Sequence, residues 1–108
     1  MAPSVDIDRK TAMQEIMDAV RDTFPDGGLT PRDDAIVVNL GHGNKPAVVR
    51  FTERALDRYM AADEAFRRRA CEAVARTCAI RMAMDYVPTA DPRNPLVISA
   101  ALELENPG

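Results

Sequence analysis

At 108 residues, 46% apolar and 29% charged, the chain matches one globular domain, 1–108, with a core of its own and loose ends expected at about 1–6 and 105–108. No apolar run approaches the ~18 residues that a membrane-spanning helix requires, and the opening MAPSVDIDRKTAM lacks the apolar stretch of a secretory signal, so a cytoplasmic protein without membrane partners is expected. The net charge of −3 is uneven, with −4 over residues 1–44, +4 over 45–81 and −3 over 82–108.

In chain order, Met13, Ile16, Met17, Val20 and Phe24 recur at steps of three and four, which predicts an amphipathic helix over Asp8–Phe24, capped by Asp8 and stopped by Pro25. Pro25-Asp26-Gly27-Gly28 reads as a turn. The branched runs Ala35–Leu40 and Ala47–Thr52 read as strands. Between them, Gly41-His42-Gly43-Asn44-Lys45 holds the single histidine. It lacks the third glycine of a dinucleotide fingerprint and leads into a strand where that motif needs a helix, so it reads as a hairpin tip. His42 is expected to be exposed and to titrate near neutral pH.

Thr52 caps a second helix with Ala55, Leu56, Tyr59 and Met60 on its apolar stripe. That stripe would next bury Asp63, so a break near Ala61-Ala62-Asp63 is predicted, with Asp63 capping a further helix over about Glu64–Tyr86. Its buried arc is assigned Phe66, Ala70, Cys71, Val74, Cys78, Ile80 and Met82. Three prolines in Val87–Pro95 make an extended connection. Leu96, Ile98, Ala100, Leu102 and Leu104 then alternate with Val97, Ser99, Ala101, Glu103 and Glu105, predicting one strand over the whole segment.

The predicted class is α+β in the order α-β-β-α-α-β, with a three-stranded, mainly antiparallel sheet and helices packed on one face. This order resembles the type II KH fold, whose family binds single-stranded RNA or DNA through a G-x-x-G loop between two adjacent helices. The matching junction is Met60-Ala61-Ala62-Asp63-Glu64, without glycine and with two acids, so the resemblance implies the fold without its phosphate clamp. As a whole the sequence also resembles the small proteobacterial proteins grouped as a domain of unknown function, which implies neither substrate nor cofactor. Twelve arginines against two lysines, with abundant alanine, hint at a GC-rich bacterial genome.

Two surfaces are candidates for function. The sheet face away from the helices would carry Val37, Asn39, Val48, Arg50, Val97 and Ser99, and Val37, Val48, Arg50 and Val97 form a partner surface there, for self-association or another protein. The alternative is a nucleic-acid contact drawn from the basic Arg50–Arg69 segment, namely Arg54, Arg58, Arg67, Arg68 and Arg69. Against it, Glu64, Arg68, Glu72 and Arg76 form a self-compensating i,i+4 ladder, and Asp85 is an available partner for Arg81.

No enzyme is expected. The chain has two serines, Ser4 and Ser99, and no G-x-S-x-G, H-E-x-x-H or Walker A pattern. Adjacent Asp33 and Asp34 would point to opposite faces of a strand. Cys71 and Cys78, about 10.5 Å apart along one helix, are too distant for a disulfide and lack zinc-ligand spacing. They read as small buried hydrophobes, and no metal or cofactor is assigned.

Overall fold

In the computed structural model, which describes residues 6–41, 44–87 and 93–107, α1 (Arg9–Thr23) starts at its expected cap. The Asp8 carboxylate accepts the Thr11 amide at 2.7 Å, satisfying a donor that the first helical turn leaves open. Ala12, Met13, Ile16, Ala19 and Val20 form the buried stripe, and Phe24 turns its ring into the core where Pro25 ends the helix.

A strand the sequence had hidden follows. β1 (Gly28–Pro31) pairs antiparallel with β2 (Ala35–Asn39), which pairs antiparallel with β3 (Ala47–Arg50). Glycine at one end of β1 and proline at the other disguise it, and its place at the sheet edge lets Pro31 do without a ladder donor. The β2–β3 pairing agrees with the expected hairpin. Its tip residues His42 and Gly43 lie outside the described residues, but Gly41 takes φ +77° and the Asn44 amide donates to the Gly41 carbonyl at 2.9 Å.

The expected helix break is present. α2 (Glu53–Met60) is capped by Thr52, α3 (Glu64–Asp85) by Asp63, and each cap oxygen accepts the amide three residues on. α3 carries the chain back to the end of the sheet where β3 begins, and there the Tyr86 hydroxyl donates to the Lys45 carbonyl at 2.6 Å. From that end β4 (Leu96–Ser99) runs parallel to β3. The sheet is therefore four-stranded and mixed, in the order β1-β2-β3-β4, not three-stranded and mainly antiparallel.

Two further expectations are corrected. The alternation that predicted a strand to Glu105 ends at Ser99, and α4 (Ala101–Glu105) buries Leu104 by helical rather than strand geometry. Alanine, leucine and glutamate are all strong helix formers, and the last ladder bond is made by the Ala100 amide to the Arg50 carbonyl. Glu105, expected in a loose end, closes α4 at 3.3 Å from Arg54. Ile80, assigned to the buried arc of α3, is 56% exposed. At 100° per residue it lies about 200° around the helix from buried Cys78.

Ile36, Val38, Val49 and Ile98 project from one sheet face onto Ile16, Val20, Leu56, Tyr59, Val74 and Leu104, all fully buried in one cluster. Each such aliphatic side chain contributes about 1.5–3 kcal/mol by leaving water. α1 lies on the β1 side and against α3, while α3 lies over β4 and against α4.

Candidate functional site

Three helices meet at the densest polar cluster. Glu15 of α1 accepts the Tyr59 hydroxyl of α2 at 2.8 Å and Arg67 Nε of α3 at 3.1 Å, both on Oε1. Arg67 Nη1 also donates to the Ala62 carbonyl at 2.8 Å, and its side chain is only 13% exposed. Cys71 Sγ lies 3.1 Å from the Tyr59 oxygen and donates to the Glu15 carbonyl at 3.7 Å. Tyr59 reaches the cluster because the apolar stripe of α2 buries its ring, and Arg67 because the Asp63 cap fixes the start of α3.

Burial pushes the Cys71 thiol above its ordinary range, outweighing the hydrogen bond with Tyr59. Burial also raises the Tyr59 phenol strongly, and its contacts with Cys71 and Glu15 act in the same direction. A reactive cysteine needs the opposite shift, because the thiolate is the nucleophile. A cleft of about 280 Å³ opens over the cluster between α1 and α3. The chemistry of this arrangement is cohesion, tying α1, α2 and α3 through one carboxylate.

The arginines of the expected basic segment are dispersed. Arg54 faces Glu105 at 3.3 Å, Arg68 faces Glu64 at 3.4 Å and Arg67 is held by Glu15. Arg58 and Arg69 flank the Phe66 ring, with guanidinium carbons 4.4 and 5.9 Å from its centre. Arg50 projects from the uncovered sheet face, 3.8 Å from Asp34. Asp33 occupies the β1–β2 turn, where Arg9 donates to its backbone carbonyl. The Arg81–Asp85 pair forms at 2.7 Å.

The four residues expected to form a partner surface are all on the uncovered sheet face. Register places Thr30, Val37, Val48 and Val97 in one row across all four strands, and Arg50 pairs with Ser99 in the next. Val37 and Val48 are half-buried by neighbours, while Val97, on the edge strand, is exposed.

Sequence reasoning missed what lies beside that edge. The large apolar side chains exposed among the described residues are Ile80, Met84, Val87, Val97 and Leu102. All belong to the second half of α3, the second residue past it, β4 and α4. α4 covers α3 around Ala73 and Thr77, where Thr77 donates to Glu103 at 3.2 Å. Beyond Ile80 no element among the described residues covers that side of α3. The spacing Thr77, Ile80, Met84, Val87 alternates steps of three and four, the one sequence signal of an apolar seam separate from the core-facing stripe.

Among the described residues no three His, Cys, Asp or Glu side chains converge as a metal site requires, and no helix is long and apolar enough to cross a membrane. Comparison with protein-family models, curated proteins and solved structures found no match to this chain.

Proposed function

We propose that this chain is a protein-interaction module acting through its β4 side, with the sheet row Val37, Val48 and Val97 and the exposed residues Ile80, Met84, Val87 and Leu102 of the neighbouring helices as its contact residues. One observation carries the reading: the exposed large apolar side chains of the described residues all come from α3, the segment just after it, β4 and α4, elements that pack against one another. The polar cluster around Glu15 supports a non-enzymatic role, since its thiol and phenol are both held in their protonated forms. The nucleic-acid alternative has weaker support, because Arg54, Arg67 and Arg68 already face carboxylates.

Affinity capture tests the reading with wild-type chain, Met84→Asp and Leu102→Asp, and with Arg58→Glu as a control away from the seam. Proteins held by wild type and by Arg58→Glu, the chain's own copies included, are expected to be lost from both seam variants while far-UV circular dichroism is unchanged. A bound set that survives both seam substitutions overturns it.

A further inference from the structure

Resting on that reading, we infer that the partner is a second copy of this chain, joined by antiparallel pairing of β4 with its counterpart about a two-fold axis at Ile98. The argument begins with the backbone. The Leu96 amide donates to the Pro46 carbonyl at 3.0 Å and the Ala100 amide to the Arg50 carbonyl at 2.7 Å. These bonds set the phase of the ladder, turning Leu96, Ile98 and Ala100 toward β3 and the N–H and C=O of Val97 and Ser99 outward.

The two edges of the sheet differ in what they offer. On β1, Pro31 has no N–H and charged Arg32 follows at once, the devices by which natural sheets discourage edge pairing. β4, Leu-Val-Ile-Ser, carries neither proline nor charge within the strand, and its proline, Pro95, stands just before it.

The β4 edge is also self-complementary. With the axis at Ile98, Val97 of each copy lies opposite Ser99 of the other, and each of the two pairs exchanges both backbone bonds, four in all. Antiparallel pairing brings the Ser99 end of one strand beside the Leu96 end of the other. α4 leaves from the first end, and α3 terminates near the second, as the Tyr86 contact with Lys45 fixes. Leu102 of each copy is then brought toward Met84 at the α3 terminus of its mate. Met84 and Leu102, both exposed in the single chain, add apolar surface to these backbone bonds toward the about 800 Å² that each partner gives to a standard stable interface.

Val97→Pro is the direct test, because proline removes an outward N–H and leaves the β3 ladder intact. Sedimentation equilibrium should give twice the chain mass for wild type. Val97→Pro, which takes one N–H from each copy, should weaken association about a hundred-fold at unchanged circular dichroism. Register is tested by mixing Val97→Cys chains with Ser99→Cys chains under oxidation. Opposed residues of a hydrogen-bonded pair have Cα atoms about 5.5 Å apart, within disulfide reach, so the mixture should give a covalent dimer that neither variant gives alone.

Should Val97→Pro fail to fold, the cysteine mixture decides. A single-chain mass for wild type at every concentration overturns self-pairing, as does a Val97→Pro chain that folds and still dimerises, or cross-linking by one variant alone. If Met84→Asp still sheds other proteins in any of those cases, the interaction-module reading stands without its self-partner. If it sheds none, that reading falls too.

Discussion

Tyr59 and Glu15, 44 positions apart in sequence, meet at 2.8 Å where α2 crosses α1, and the phenol donates to the carboxylate oxygen that also receives Arg67. Tyr59→Phe keeps the buried ring and deletes the hydrogen bond to this charged acceptor together with the Cys71 contact, a loss of about 1.5–3 kcal/mol. Glu15→Ala takes the acceptor from both Tyr59 and Arg67 and should cost more, about 2–4 kcal/mol. Urea denaturation followed by circular dichroism checks the order. Equal losses would mean that the Arg67 contact adds nothing.

Alkaline stability follows from Cys78, whose thiol burial pushes up to about 12, with the Glu103 carboxylate acting in the same direction. The unfolded chain releases this proton near pH 9, while the folded chain holds it. Stability is thus full below pH 9 and falls as pH rises from 9 toward 12, by at most about 1.4 kcal/mol per pH unit for one group. Cys71 and Tyr59, also raised, add to the fall. Cys78→Ala should lower stability at pH 7.5 through the cavity it leaves, yet lose less between pH 7.5 and 10 than wild type does. Parallel losses in paired thermal melts would assign the alkaline transition elsewhere.

Two glycines should fail for different reasons. A Cβ on Gly27 would stand 3.0 Å from Val38 Cγ1 and 3.2 Å from Phe24 Cβ, both in the core, so Gly27→Ala should cost about 1–3 kcal/mol by overpacking. Gly41 has open space around it but φ +77°, so Gly41→Ala should cost about 1–2 kcal/mol by backbone strain. Asparagine tolerates that conformation, so Gly41→Asn should recover part of the loss, whereas Gly27→Ser should recover none. Denaturation midpoints for the four variants separate the two causes.

What the sequence disclosed depended on how local each signal was. α1, the β2–β3 pair and the break between α2 and α3 rest on short-range patterns and single caps, such as Asp63 accepting the Phe66 amide at 2.8 Å. β1 escaped because Gly28 and Pro31 disfavour a strand that only an edge position tolerates. Past Ser99, residues alternate as a strand would, but leucine and glutamate also suit a helix, and the end of β3 decides between them by offering no further ladder partner after Arg50. The site was harder to read for a related reason. Arg67 stood in the sequence only as one of the candidate nucleic-acid contacts, and its pairing with Glu15 depends on how α1 lies against α3. The four residues of the sheet face were found by period two alone, while Ile80 was misplaced by following the richness of the apolar residues in α3 instead of their phase.

The order in which the strands enter the sheet bears on how the chain is made. β1, β2 and β3 form from neighbouring segments, so this meander can assemble soon after synthesis passes Arg50. The Ala47–Leu96 pairing joins the two ends of the entire α2–α3 excursion, and its loop-closure entropy must be met before any β4 bond is gained. β4 therefore docks last. Until it does, the nascent protein presents the β3 edge, with Val48 beside it, to its surroundings, and a ribosome pause within residues 50–95 would prolong that interval of aggregation risk.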